Sequence, residues 1–227
     1  MSSLTTQFVT DLLNHYFTNA THPNIGGGIP ASSQSGNLYV ALHSSAPTDG
    51  GYQSTGELSY DNYQRVAVPR SSAGFSVSGK NVSPAAGVTF PKCGTGTATA
   101  YFWSIGTDGN KANQGYLILR GAIGLAPSPF VAGSGAPITC PNAAFAVNDP
   151  VVFWQYEDSA LPGGIVEGTV YWVLTAASGT FTISASQGGA AVSITSAGQG
   201  TCQKLTPLNI SANVTPKLDA TTIIKFQ

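Results

Sequence analysis

Leu38-Tyr39-Val40-Ala41-Leu42-His43, running straight into Ser44-Ser45-Ala46-Pro47-Thr48-Asp49-Gly50-Gly51, decides the fold class. Leu38, Val40 and Leu42 alternate with Tyr39, Ala41 and His43, so successive side chains point to opposite faces and one face lies in a core. The Ser, Pro, Asp and Gly residues that follow carry turn chemistry and reverse the chain at the surface. The same alternation of short strand and turn continues outward. Tyr63 to Val68, Gly74 to Val77, Gly87 to Phe90, Thr97 to Ile105 and Tyr116 to Ile123 are rich in β-branched and aromatic residues and bounded by turn formers. Asp108-Gly109-Asn110 is placed for a hairpin turn between the last two. Strands this short and this closely spaced predict a mainly β chain, a jelly-roll-like β-sandwich rather than a parallel sheet with helices.

One segment breaks the pattern. Leu4, Phe8, Leu12 and Tyr16 recur every four residues, and Val9, Leu13 and Phe17 widen the stripe, which predicts an N-terminal amphipathic helix ending at Asn19. Ser2 or Ser3 is expected to cap its start, and Asn19 followed by Pro23 to end it. A stripe with large aromatic residues must be buried, either on the chain's own sheet or on a neighbouring subunit. Leu4, Phe8, Leu12, Tyr16 and Phe17 are therefore the candidate assembly residues. Gly26-Gly27-Gly28-Ile29-Pro30 and the residues up to Gly36 have no periodicity and read as a loop.

From about Ser134 a second unit is expected. Ala144 to Val147, Pro150 to Gln155, Gly168 to Leu174, Thr180 to Ala185 and Ala190 to Ile194 read as its strands. Residues 121 to 203 hold Asp149, Glu157, Asp158 and Glu167 with no Lys or Arg, a net −4; six acids and nine bases elsewhere leave +3. Two similar Pro-containing stretches flank this region, Gly124-Leu125-Ala126-Pro127-Ser128-Pro129 and Lys204-Leu205-Thr206-Pro207-Leu208. Their likeness points to one loop of a parent fold opened to take a guest, because loop tips tolerate insertion best. The expected organisation is an anchoring helix over 1–20, a β-sandwich over 21–134 and 205–227, and an inserted β module over 135–204. The parent sheet resumes with Ile210 to Val214 and closes with Thr221 to Phe226.

Composition narrows the function. Charged residues make up 8% of the 227, against about 25% in an ordinary soluble domain. Such a surface resists association weakly, which suits a subunit of a large assembly. A net charge of −1 offers no footprint for a phosphate backbone, so nucleic acid is not an expected partner. Apolar runs such as Val151 to Trp154 fall far short of the roughly 20 residues that span a bilayer, and no basic, apolar secretory leader is evident. A soluble protein made in the cytoplasm, without membrane insertion, is the expectation. Cys93, Cys140 and Cys202 are too few and scattered for a disulfide framework or a zinc site. Cys140 and Cys202, near the two ends of the insert, are placed to lie close together.

Signals for catalysis are weak. His15 lies beside the apolar stripe and His22 precedes a Pro, so both read as structural. His43 with Ser44, Ser45 and Asp49 has the residue types of a nucleophile set, but sequence neighbours seldom form a triad and no Gly-x-Ser-x-Gly elbow is present. A glycosidase needs two carboxylates across a cleft, whereas adjacent Glu157 and Asp158 read as a solvated loop. Gly26 to Gly28 lacks the Lys and helix of a phosphate cradle, and the acidic region would at most bind calcium weakly. No enzymatic activity, cofactor or metal is expected. Arg65, near Glu57 and Asp61, reads as a solvated or locally paired charge, or as a contact to an adjacent subunit. Among the aromatic residues of the insert, Trp154 and Tyr156 are expected on one strand face. They and Trp172 are the candidate contacts to a glycan, the alternative being packing within a small β core.

Several blocks resemble a known family. Leu12-Leu13-Asn14-His15-Tyr16-Phe17-Thr18-Asn19 precedes the Leu38 to Gly51 stretch, then come Glu57-Leu58-Ser59-Tyr60, Tyr63-Gln64-Arg65-Val66-Ala67-Val68, Val88-Thr89-Phe90-Pro91 and Phe102-Trp103-Ser104-Ile105-Gly106-Thr107. In order and spacing they resemble small phage virion proteins usually described as tail-fibre or head-decoration proteins, over residues 4 to about 125 and from 205. Ala143 to Phe153 and Ser186 to Ala191 resemble a β module inserted in various phage fibre and surface proteins. The resemblance implies a bacteriophage structural protein, made in the host cytoplasm and located in the virion. Its implied partners are other virion proteins, while the low charge and the large helical stripe point to a symmetric homo-oligomer with the acidic insert projecting outward. An adhesin module that binds a receptor or glycan is the alternative, and a glycan-degrading enzyme a third.

Overall fold

The computed structural model describes residues 4–22, 30–33, 36–142, 144–156, 159–219 and 224–225. Helix α1 spans Thr6–Thr18. Its N-cap is Thr5, whose hydroxyl accepts a hydrogen bond from the Phe8 amide at 3.3 Å. This corrects the expected cap; Ser2 and Ser3 lie outside the described residues, as do Pro23 and Gly26 to Gly28. Asn19 ends the helix in the left-handed region at φ 54°, a conformation Asn tolerates. Val9, Leu13 and Phe17 are buried, and Phe17 meets Phe75 edge-on at 5.1 Å. Leu4 and Leu12 instead stand 57% and 42% exposed. The expected single stripe is thus split: Leu12 lies about 100° around the helix from Leu13 and faces outward, and Leu4 precedes the Thr5 cap and lies off the helix.

The first strands after the helix are β1 (Asn37–His43), β2 (Val66–Pro69), β3 (Phe75–Ser78), β4 (Asn81–Pro84) and β5 (Val88–Thr89). They are followed by β6 (Thr97–Ala100), β7 (Phe102–Gly106) and β8 (Leu117–Ala122). β2, β1, β7 and β8 form one antiparallel sheet in that order, with Leu42 opposite Trp103 and Leu38 opposite Val68. The expected strand from Thr97 to Ile105 breaks at Tyr101, where the chain leaves one sheet for another. Asp108, Gly109 and Asn110 sit in a loop longer than the expected tight hairpin. There Asp108 Oδ1 accepts from the Asn110 amide at 2.8 Å.

Next come β9 (Ser128–Ala132), β10 (Ile138–Thr139), β11 (Pro150–Trp154), β12 (Tyr171–Ala177), β13 (Thr180–Ser184) and β14 (Gly198–Lys204). They close into a six-stranded barrel in the order β10-β13-β12-β11-β14-β9. It takes its first strand from ahead of residue 135, where the insert was expected to begin. Closure leaves no sheet edge unpaired. It also explains why β14, the polar run Gly198 to Lys204, is a strand at all: β11 and β9 bond it on both sides, and Gly200 and Cys202 are its buried members. Ala144 to Val147 does not form the strand expected of it. Asp149 Oδ2 accepts from the Ala146 amide at 2.7 Å and turns the chain there. Ala190 to Ile194 contributes only a bridge, Ser184 to Ala191.

The chain then returns through β15 (Leu208–Ser211), β16 (Lys217–Leu218) and β17 (Ile224–Lys225), which pair in turn with β6, β5 and β4. The last segment therefore runs back along strands laid down before the barrel. The chain is mainly β, with one helix, the N-terminal one, among the described residues, and its several sheets outside the barrel are compatible with a sandwich. One apolar core joins the helix to these sheets through Phe17, Phe75, Tyr63, Phe90 and Trp103. A second fills the barrel around Phe130, Phe153, Tyr171 and Phe181.

Candidate functional site

The most engaged polar group is Arg65. Its side chain and that of Glu57 are 0% and 4% exposed, and they form a two-pronged pair, Nε to Oε1 at 2.9 Å and Nη2 to Oε2 at 2.8 Å. The remaining donors reach the carbonyls of Asp108 at 2.9 Å, Asn110 at 3.3 Å and Asn113 at 3.0 Å. All five N–H groups of the guanidinium are used. Of the two local readings the sequence left open for Arg65, the paired one holds and the solvated one does not: Arg65 is buried, and its partner is Glu57. Tyr63 joins them, its hydroxyl donating to Glu57 Oε1 at 3.0 Å and accepting from the Leu42 amide at 3.0 Å. Burial, with the Glu57 charge, pushes the Tyr63 hydroxyl above its usual range and keeps it a donor.

His43 is fully buried. Its Nδ1 faces the Thr55 carbonyl at 2.9 Å, so that nitrogen carries the proton, and Nε2 accepts from the Ser104 hydroxyl at 2.8 Å. Burial holds its pKa down at about 4, against a smaller upward pull from the Thr55 carbonyl. A His–Ser pair at this distance is nucleophile-and-base geometry, yet both residues are 0% exposed. The pair ties β1 to β7. Ser44, Ser45 and Asp49, which the sequence set beside His43, make no contact with its ring nitrogens. On the helix side, His15 Nδ1 lies 2.8 Å from the Ala20 carbonyl and buried His22 packs 5.7 Å from Phe8.

The barrel is fixed to the rest of the chain by a two-legged stem and a packed joint. In the stem the Leu125 amide donates to the Lys204 carbonyl at 2.9 Å and the Thr206 amide to the Ile123 carbonyl at 2.8 Å. Above it Phe102, Val152 and Leu205 make a small buried cluster, with Trp154 edge-on to Phe102 at 6.1 Å. Arg120 lies 5.3 Å over the Trp154 ring and donates to the Pro47 carbonyl at 2.9 Å. Gly168, at φ +71°, brings the barrel so close that an added Cβ would lie 2.8 Å from that of Ala46. Only glycine suits both the angle and the space. Lys204 pairs with Asp149 at 2.6 Å, engaging one of the four acids of the 121–203 region.

The candidate glycan contacts are not brought together. Trp154 is part of the joint. Strand β11 ends there, so Tyr156 falls in the following turn rather than on a shared strand face. Tyr156 is 44% exposed and borders a groove of about 430 Å³ together with Phe130, Val131, Pro141, Asn142 and Gln199. Trp172, half-buried on β12, stands in register with Pro150 and Ser184. Glu157 and Asp158 lie outside the described residues. Of the candidate assembly residues, Phe17 is consumed in the core, Tyr16 and Phe8 are half-buried, and Leu4 and Leu12 face outward. What the sequence reading missed is Arg70 and Arg120: like Arg65 they fasten elements together, Arg70 donating to the Tyr16 and His15 carbonyls at the end of the helix at 2.7 and 3.1 Å.

Among described residues no helix is long and apolar enough to cross a membrane. Compared with known proteins, residues 3–123 match the family described as "Podophage GP4 fiber I protein gp80". The match ends at the foot of the stem. No curated protein and no solved structure matches the chain.

Proposed function

The chain belongs to the podophage fibre I protein family, and from that premise we propose that its work in the virion is positional, not catalytic. It is a bacteriophage structural protein. Its finer role is to sit among other virion proteins as a fibre-type subunit in a symmetric homo-oligomer, attached through the N-terminal helix and charge-poor sheet faces. The barrel is a guest of the parent fold and projects outward. Support comes from the family match ending where the stem begins and from the C-terminal strands resuming the parent sheets.

The observation that carries this reading is the apolar surface left open at the start and on the outer side of α1, Leu12 on the helix and Leu4 just ahead of its Thr5 cap. Leu4 and Leu12 remain exposed on a chain with 8% charge, while Val9, Leu13 and Phe17 already satisfy its own core. Leu4→Lys combined with Leu12→Lys changes only exposed positions. The variant is expected to melt with the parent and to be missing from purified particles. Particles that carry it at the normal copy number would overturn helix anchoring, and a sedimentation profile of a pure monomer at micromolar concentration would remove the symmetric assembly.

A second reading, a glycan-binding adhesin module, is favoured by the Tyr156 groove, where an exposed ring stands beside the amides of Asn142 and Gln199. Rings of this kind stack on apolar sugar faces while amides bond the hydroxyls. Binding of the purified chain to a glycan array, lost on Tyr156→Ala, is the expected result for that reading; no binding to host polysaccharide removes it.

A further inference from the structure

Cys140 and Cys202 are 62 positions apart in sequence, yet their sulfur atoms lie 3.1 Å from one another inside the barrel. Both residues are 1% exposed. They approach from opposite sides of β9. Cys202, on β14, is in register with Ser128, and its Sγ lies 3.5 Å from the Ser128 carbonyl. Cys140 follows β10, which pairs with the other edge of β9, and its Sγ lies 3.3 Å from the Pro129 carbonyl. Cys93, the third cysteine, is in the other core, its Sγ 3.2 Å from the Thr95 carbonyl.

We propose that Cys140 and Cys202 are a latent disulfide site that staples the seam where β9, β10 and β14 meet. The sulfurs need to approach by only about 1 Å to reach bonding distance, and the strands on both sides of β9 already hold them in place. The inference concerns the barrel alone and stands independently of where the subunit sits in a particle.

The oxidant is a low-molecular-weight disulfide. One cysteine, as its thiolate, attacks a sulfur of that disulfide, forming a mixed disulfide and releasing one small thiolate, which takes up the proton the cysteine gave up. The second cysteine, deprotonated by solvent, attacks the protein-bound sulfur and expels the second small thiolate, which is protonated in turn. Two protein S–H bonds and one small S–S bond become one protein S–S bond and two small S–H bonds. Burial and the Cys140 sulfur raise the Cys202 thiol well above its ordinary range, and neither sulfur is open to solvent. The intact barrel therefore reacts slowly, and the bridge forms as the chain folds or when the seam opens. In a reducing cytoplasm the pair stays as thiols; in an oxidising medium it closes.

The test uses the full chain, unfolded and refolded either in oxidised and reduced glutathione or in excess reductant. Peptide mapping without reduction is expected to show a Cys140–Cys202 cross-linked peptide in the first sample, unaffected by Cys93→Ser. The oxidised form should melt on the order of 10 °C above the reduced form. Both thiols recovered free by alkylation after complete refolding in the glutathione mixture would overturn the proposal. So would a cross-linked protein whose barrel melts no higher than the reduced one.

Discussion

Replacing Glu57 by Gln tests whether the Arg65 centre is as closed as its geometry says. The substitution keeps shape and one acceptor oxygen but removes the charge that faces a guanidinium whose side chain is 0% exposed. It also puts an NH₂ group where Arg65 Nε–H or Nη2–H now finds oxygen at 2.8–2.9 Å. Breaking a buried pair from one side costs about 3–5 kcal/mol, because the remaining charge has no solvent to return to. Against a total stability of roughly 5–15 kcal/mol that is a large fraction, and on a chain of this size it lowers the melting temperature by on the order of 10 °C. The loop from Asp108 to Asn113, held by the same guanidinium, should also exchange its amide hydrogens faster. Urea unfolding followed by fluorescence gives the stability change, with hydrogen exchange of the 107–116 peptide as the local readout. The double replacement Glu57→Met with Arg65→Met leaves no orphaned charge and should recover part of the loss, the rest remaining because the Tyr63 hydroxyl and the Asp108, Asn110 and Asn113 carbonyls lose their partners. If Glu57→Gln costs less than about 1 kcal/mol, as surface pairs do, the centre is solvated and the reasoning fails.

His43 makes stability depend on pH. Its folded pKa of about 4 lies below the ordinary 6.5, so the unfolded chain binds the extra proton between those values. The contribution, about 3 kcal/mol at roughly 1.4 kcal/mol per pH unit, is complete above 6.5 and is lost as pH falls towards 4. About 2 kcal/mol of it should be gone at pH 5 by the same linkage; unfolding curves at pH 7, 6 and 5 measure it, and a slope unchanged by His43→Gln would refute the assignment. Trp154→Ala removes the ring that Arg120 and Phe102 share at the joint and should cost about 2 kcal/mol for a half-buried residue. Its distinctive sign is faster proteolytic cutting of the stem near residues 123–126 and 204–207, with the barrel released as an intact fragment; cutting at the wild-type rate would mean that the joint does not hold the barrel.

How much of this was readable in the sequence depends on the range of the interaction that fixes each part. The helix, β1 and β13 follow from the local sequence, and each lies close to where the residues place it. β14 could not be read, because Gly-Gln-Gly-Thr-Cys-Gln-Lys has no β-branched alternation beyond Thr201. It is a strand because β9 and β11, distant in sequence, bond both its edges. Ala144 to Val147 failed for the opposite reason: its apolar residues look like a strand, but the Asp149 side chain offers the backbone a turn. The split of the helical stripe depends on how much surface the underlying sheet has to give, which no local pattern records. Trp154 and Tyr156 have the right spacing for one face of a strand. The strand stops between them.

The arginines connect the charge-poor composition to assembly. Arg65 gathers the 108–113 loop, Arg70 fastens the C-terminal turn of the helix, and Arg120 clamps the parent sheet to the barrel. Each uses the planar fork and the ring-stacking ability that distinguish Arg from Lys. Lys204 is likewise engaged by Asp149, and Lys111 lies 5.1 Å over the Tyr63 ring. Charges used in this way hold elements together and do little to keep neighbouring molecules apart. The few charges of the sequence therefore overstate the repulsion the folded surface can offer, and the exposed Leu4 and Leu12 lie on a molecule with little electrostatic defence against association. If the three Arg→Lys replacements left both stability and assembly intact, this link between internal fastening and a quiet surface would be broken.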